Sequence, residues 1–313
     1  MAALDLVSIG EPLYELNRQP DGRYLPGFGG DTLNVAVAAA RLGARAAYVS
    51  RLGADIFGDE LRTLMIREGV DDTAVAADPQ APTGLYFVTH GPEGHVFTYR
   101  RAGSAASLMA PADIPKEKIA SARFVHASGI SQAISESAAE TVAAAFRLAR
   151  ARGAQVSYDT NYRPRLSPPR EARARVEQVA ALAHVLKTSR EDAQALFGLS
   201  DPGAIADHLL ALGAGAVLVT LGAEGLLMAS CEARHAIPGR RVAAVDATGA
   251  GDAFTGALLA ELARGRSLGQ AADFANAAAA LSTLGFGAIA PLPRRAEVEG
   301  ALAPEFLPQV RSD

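Results

Sequence analysis

The stretch Asp246-Ala247-Thr248-Gly249-Ala250-Gly251-Asp252-Ala253-Phe254 joins a glycine-rich turn to the carboxylate of Asp252 at a place where a helix should begin. The residue pattern around it predicts a strand over Arg241 to Val245 and a helix over about Ala250 to Ala263. A helix start without bulky side chains leaves backbone N–H groups unpaired, and the helix dipole adds positive potential, so the turn suits an anion such as a phosphate. A carboxylate at an anion site is electrostatically unfavourable unless it has chemistry to do. Taking a proton from a hydroxyl is such chemistry, and the two features together point to phosphoryl transfer to an alcohol. The plainer reading is an ordinary strand-to-helix turn with Asp as an early-helix residue. Neither GxxxxGK[ST] nor GxGxxG occurs in the chain, which removes the P-loop and ordinary dinucleotide-binding readings.

Other stretches carry groups that could meet a ligand. Gly29-Gly30-Asp31-Thr32-Leu33-Asn34 brings glycines and polar side chains to a helix start, which suits a polyhydroxylated ligand or simply a loop and N-cap. Asn161-Tyr162-Arg163-Pro164-Arg165 follows a strand end; the proline holds Arg163 extended, and its guanidinium matches a carboxylate or phosphate as well as it matches solvent. Thr220-Leu221-Gly222-Ala223-Glu224-Gly225 is either a plain turn or a close backbone approach to a nucleotide. Tyr86, Arg100 and Arg101 lie on two alternating β-rich runs, where Tyr86 is packing or a ligand contact and the arginines are edge charges or ligand contacts.

These groups need a scaffold. Leu4 to Ile9 reads as a buried strand, Asp31 to Leu42 as an Ala-rich helix stopped by Gly43, Ala46 to Arg51 as a strand, and Gly58 to Glu68 as a helix stopped by Gly69. Between Gly10 and Gly30 lies a polar segment rich in Gly and Pro. Thr83 to Thr89 and His95 to Arg101 interrupt this rhythm as two strands joined by a turn at Gly91-Pro92-Glu93-Gly94, an inserted antiparallel sheet with the look of a lid. Alternation puts Thr98 and Arg100 on one face and Phe97 and Tyr99 on the other. The α/β rhythm resumes with strands Arg123 to Ala127, Gln155 to Asp159, His184 to Thr188 and Ala216 to Leu221 between helices, and ends with a long helix over Leu268 to Leu284. The fold class is therefore α/β, a doubly wound, mostly parallel sheet flanked by helices, with a small β-sheet lid. Its bounds are residues 1–10, 30–81 and 105–313 for the core and 11–29 and 82–104 for the lid. Ligands in such folds sit beyond the carboxyl ends of the strands.

Bulk composition limits the function classes. The 313 residues are 49% hydrophobic and 20% charged, enough for one large core. A formal net charge of -4 without blocks of Lys or Arg argues against nucleic acid and for a small ligand. Cys231 is the only cysteine, so neither disulfides nor a thiolate zinc site arise, and with no leader-like or membrane-spanning run the expected location is the cytoplasm.

Taken together, the motifs resemble the ribokinase-like carbohydrate kinases, the PfkB family, over nearly the whole chain: Gly29-Gly30 with Asn34, the two lid strands, Thr220 to Gly225, Asp246 to Asp252, and Asn276-Ala277-Ala278-Ala279-Ala280. The resemblance implies Asp252 as catalytic base and the backbone of Gly249, Ala250 and Gly251 as the anion hole. It implies ATP held by Ser189, Thr220, Gly222, Gly225, Gly249, Gly251 and Asn276, together with Mg2+, and leaves room for a monovalent cation. Within the family several pieces are most similar to 2-keto-3-deoxygluconate kinases, among them Gly10 to Glu15, Tyr99 to Ala105, His126 to Ile130 and Asp159 to Pro164. That implies Gly30, Asn34, Tyr86, Arg100, Arg163 and Asp252 around a sugar acid, the arginines on its carboxylate. Two departures accompany the likeness. The family's Asn-x-x-Glu, which organises Mg2+ through water, appears as Ser189-Arg190-Glu191-Asp192, leaving Asp192 and Glu191 for that role; and Thr98 stands where some relatives carry a second Tyr. A fructokinase or ribokinase is the alternative within the class, a catalytically silent sugar-binding sensor the alternative outside it, and a Rossmann-type oxidoreductase a third reading that lacks its fingerprint. A homo-oligomer paired through the lid is expected.

Overall fold

The computed structural model describes residues 4–91 and 94–303, so the expected turn residues Pro92 and Glu93 and the outermost core residues, 1–3 and 304–313, lie outside the described residues. The strands are Leu4–Ile9 (β1), Leu13–Arg18 (β2), Tyr24–Gly29 (β3), Ala46–Gly53 (β4), Asp71–Asp78 (β5), Leu85–Gly91 (β6), Gly94–Arg100 (β7), Ala122–Ser128 (β8), Gln155–Asp159 (β9), Val185–Ser189 (β10), Ala216–Thr220 (β11), Gly225–Ser230 (β12) and Arg234–Pro238 (β13). The helices are Asp31–Arg41 (α1), Ile56–Arg67 (α2), Lys116–Ser121 (α3), Gly129–Ala133 (α4), Glu136–Ala151 (α5), Pro169–Ala180 (α6), Arg190–Phe197 (α7), Pro202–Ala211 (α8), Ala250–Ala263 (α9), Leu268–Ser282 (α10) and Arg295–Leu302 (α11).

Nine strands form the main sheet in the order β13-β12-β11-β10-β9-β8-β1-β4-β5, parallel from β5 to β11 and antiparallel through β12 and β13. Alternate residues of the central strand feed opposite cores. Leu6 packs with Leu33 of α1, Phe254 of α9 and Phe274 of α10, whereas Val7 and Ile9 pack with Phe146 of α5 and Val176 of α6. Burial on both faces is what a parallel strand requires, and it explains why these strands read as continuous apolar runs. Helix starts follow local chemistry: the Ser135 hydroxyl caps α5, Asp201 caps α8, and Ser267 with Gln270 closes a reciprocal box at α10.

One close approach positions the site. A Cβ on Gly256 would stand 2.6 Å from both the Ala38 Cβ and the Val35 carbonyl oxygen, so α9 can lie against α1 only with glycine there. That contact brings Asn34, on the first turn of α1, and Asp252, on the first turn of α9, to the same end of the sheet.

The small sheet has four strands in the order β3-β2-β6-β7. Its two hairpins are antiparallel, β6 with β7 as expected and β3 with β2, and the parallel pairing of β2 with β6 joins them. Two separate excursions from the main sheet lie side by side, and both leave it in the same direction. The Gly- and Pro-rich segment after Gly10 supplies β2 and β3, whose β signal is diluted by Pro26, Gly27 and Gly29. The strand expected over Arg241 to Val245 is absent: the sheet edge ends at Pro238, which has no N–H to extend a ladder, and the Val245 and Asp246 N–H groups bond the Thr283 carbonyl beyond α10 instead.

Candidate active site

A cavity of about 760 Å³ opens between the carboxyl ends of the main-sheet strands and the small sheet. Of the residues singled out by sequence, Gly30, Asn34, Tyr86, Arg163, Gly249, Gly251 and Asp252 line it. Gly249 caps α9 in the left-handed region (φ 77°), and its Cβ position is 3.0 Å from the Ala288 backbone, so any side chain is excluded twice over. The N–H of Ala250 bonds the Ala247 carbonyl and that of Ala253 bonds the Gly249 carbonyl. The N–H groups between them, of Gly251 and Asp252, are the orphan donors of a helix start and remain for an anion.

Asp252 is 9% exposed and accepts a 2.8 Å hydrogen bond from Asn34 Nδ2. Burial pushes its pKa up to about 7, and the neighbouring Asp31 and Asp159 carboxylates push the same way, while the Asn34 bond and Lys187 pull it down. The other end of the Asn34 amide, Oδ1, is buried without a partner. A buried acceptor left unpaired costs stability, so the amide is built to receive a donor, such as a ligand hydroxyl, beside Asp252.

Asp159 and Lys187, at the ends of β9 and β10, form a buried ion pair at 2.6 Å, and both line the cavity. Lys187 Nζ lies 3.3 Å from the Cβ position of Gly251, which places an ammonium against the α9 turn. Sequence reasoning did not single it out, although a lone Lys within the apolar strand Val185-Leu186-Lys187 was the available signal. Asp31, within the Gly29 to Asn34 stretch, accepts from Asn161 Nδ2 at 2.8 Å and faces the same space.

Arg100 does not line the cavity. It lies exposed with Thr98 on the outer face of β7, its Nη1 bonding the Tyr99 carbonyl, whereas Phe97, Tyr99 and Arg101 line the cavity with Tyr86. The alternation that joins Arg100 to Thr98 sends the next arginine inward, and a Tyr at 98 would likewise have pointed away from the cavity. Arg163 and Arg165 reach the cavity from the loop after β9, and Arg165 Nη1 touches the Phe97 carbonyl at 3.3 Å. The Tyr86 hydroxyl donates to Glu15, and burial raises its pKa well above the ordinary phenol value, so it stays protonated.

The remaining sequence candidates lie along the same edge of the main sheet, outside the cavity lining. The Ser189 hydroxyl caps α7, Thr220 Oγ1 bonds the Thr188 carbonyl at 3.3 Å, and Asn276 Nδ2 holds the Pro238 carbonyl at 2.8 Å. Gly222 and Gly225 border the turn between β11 and β12, with φ of 58° and 105°. Asp192 accepts from Thr160 Oγ1 and the Tyr162 N–H, both on Oδ2, and burial raises its pKa; Glu191 beside it is exposed. Among the described residues no group of three or more His, Cys, Asp or Glu side chains could hold a metal ion.

A nine-stranded α/β sheet with an anion-binding helix start, a buried carboxylate and a neighbouring small sheet has the ribokinase-like fold. Residues 3–295 match the model of the pfkB family carbohydrate kinases, and the chain belongs to that family: it is a sugar kinase. It is 37% identical to 2-dehydro-3-deoxygluconokinase of Thermoproteus tenax over 309 residues, 95% of this chain and 94% of the relative. Fructokinase-1 of Oryza sativa subsp. japonica is also 37% identical, over 310 residues, 94% of this chain and 96% of the relative. The crystal structure of fructokinase with bound ATP from Xylella fastidiosa superposes with a TM-score of 0.89 at 30% identity, covering 95% of this chain and 98% of the other.

Proposed function

We propose that the protein transfers the γ-phosphoryl group of ATP to the terminal hydroxyl of 2-keto-3-deoxygluconate, a sugar acid. The observation that carries this reading is the pairing of Asp252 with three guanidinium groups, Arg101, Arg163 and Arg165, around one cavity. A neutral sugar offers such groups no anion, whereas a carboxylate matches their fork. Fructose is the second reading, favoured by the equal identity to the rice fructokinase.

In this reading Asp252 takes the proton of the attacking hydroxyl and Asn34 Oδ1 accepts from a sugar hydroxyl alongside. The hydroxyl oxygen forms its bond to the γ-phosphorus as the bond to the bridging oxygen breaks, with that electron pair leaving on ADP. The N–H groups of Gly251 and Asp252 and the Lys187 ammonium hold the charge on the transferring group. Ser189, Thr220, Gly222, Gly225 and Asn276 make the nucleotide shelf, Asp159 keeps Lys187 in place, and Tyr86 and Tyr99 wall the sugar. Mg2+, when bound, would supply charge neutralisation on the phosphates, and Asp192 and Glu191 are the residues that would hold it through water. Residues 11–29 and 82–104 act as a lid that keeps water from accepting the phosphoryl group. The exposed edges of β3 and β7 are where copies of the chain would pair, and the cytoplasm is the compartment that supplies ATP.

Two outcomes test these roles. With the Asp252 pKa at about 7, the base is protonated in acid, so kcat/KM rises with pH and levels off above that value. Asn34→Ala removes a group that lowers this pKa and shifts the acid limb upward; a limb at the ordinary carboxylate value contradicts the assignment. Arg163→Ala is expected to raise KM for 2-keto-3-deoxygluconate by about 10- to 100-fold, as for the loss of a charged hydrogen bond, while leaving a neutral sugar almost unaffected. Equal effects on both sugars exclude Arg163 as a carboxylate clamp.

A further inference from the structure

The chain crosses between the two sheets at four places: after β1, after β3, before β6 and after β7. All of them meet at one residue. Glu11, in the first crossing, is fully buried, and its Oε1 accepts a 2.7 Å bond from Ser104 Oγ in the last. Its Oε2 has no hydrogen-bond partner and is compensated by an ion pair to Arg101 Nη2. At the other two crossings side chains are cleared away: a Cβ on Gly30 would stand 2.3 Å from the Glu11 carbonyl oxygen, and one on Gly84 would stand 2.8 Å from Glu11 Oε1. Arg101 is therefore held at the base of the small sheet by a carboxylate from the main-sheet side. It also lies over the Tyr99 ring, 5.3 Å from its centroid, and its buried Nε–H has no acceptor. A guanidinium fixed on one side by a carboxylate and on another by an aromatic face, with a donor left over at a cavity wall, is set to meet a ligand acceptor.

We propose that Glu11 is a positioning residue that holds the Arg101 guanidinium in the cavity wall, so that the sugar meets a preformed donor. The main-sheet segment, through Glu11, fixes Arg101 while the rest of β7 belongs to the small sheet. Pre-organisation of this kind acts on sugar binding and leaves phosphoryl transfer and ATP binding alone. The proposal rests on the reading above in one respect, that Arg101 meets the sugar.

The test is a double-mutant cycle on the full chain, with KM and kcat measured for whichever sugar the protein phosphorylates. Glu11→Gln keeps the shape and the bond from Ser104 but removes the charge. It is expected to raise the sugar KM by about tenfold, with kcat and the ATP KM within about twofold of the parent. Arg101→Met is expected to raise the sugar KM as much or more, and adding Glu11→Gln to it should change nothing further. A Glu11→Gln effect that persists in the Arg101→Met background, or that moves the ATP KM in step, overturns the proposal, as does an unchanged sugar KM in Glu11→Gln when Arg101→Met raises it. An Arg101→Met variant without effect overturns the reading of the cavity and this proposal with it. Should Glu11→Gln fail to fold, Ser104→Ala removes the other bond to the same carboxylate and is expected to give a smaller rise in sugar KM with the same non-additivity.

Discussion

Asp252→Asn is expected to lower kcat by about 10²- to 10⁴-fold, the contribution of a positioned base, while ATP binding changes little. The amide keeps the shape of the carboxylate and can still accept from Asn34, but it takes no proton. The same variant should be more heat-stable than the parent. The fold raises the Asp252 pKa from 3.8 to about 7, so across that window the folded chain binds more protons than the unfolded chain and stability falls as pH rises. Above pH 7 the protein carries the full cost of a buried charge next to Asp31, and Asn removes it. Calorimetry at pH 8 alongside steady-state kinetics reads both effects. Loss of rate with a fall in melting temperature would make Asp252 a structural residue, and a near-normal rate would end its role as base.

Lys187→Met should be the second most damaging change. Lys187 is 6% exposed, its ammonium bonded to Asp159 and set against Gly251, so its removal strips a cation from the place where the transferring phosphoryl group is proposed to sit. Loss of one such electrostatic element costs about 10²- to 10³-fold in kcat. It also leaves Asp159 buried and unpaired, a penalty of about 3–5 kcal/mol in stability. The double variant Lys187→Met with Asp159→Asn separates the two effects: stability should return towards the parent and kcat should not. Recovery of both would reduce Lys187 to a counter-ion for Asp159.

The α9 turn was legible in the sequence because its cues are local: small residues, a left-handed glycine and an early-helix carboxylate all lie within a few positions. The parallel sheet was legible for a similar reason, since strands buried on both faces are short apolar runs between helices. What escaped depends on pairings far apart in the chain. Asp31 and Asn161 are 130 residues apart, and nothing in either segment announces the other. Arg100 and Arg101 are adjacent and chemically identical, so only the face of β7 that turns towards the cavity separates them. Residues 11–29 were legible as part of the lid, but the bounds of β2 and β3 were obscured by Pro26 and its neighbouring glycines, which sit at the edge of a small sheet where ladder bonds are dispensable. The apolar run before Asp246 mimicked a strand, but with the sheet edge closed at Pro238 it had no partner to pair with.

The most direct test of the account is ADP release by the purified protein with ATP and Mg2+, comparing 2-keto-3-deoxygluconate with fructose and ribose under identical conditions. The arginine-lined cavity predicts a kcat/KM for the sugar acid about tenfold or more above either neutral sugar, the worth of one charged hydrogen bond. A kcat/KM for fructose equal to or greater than that for the sugar acid would contradict it.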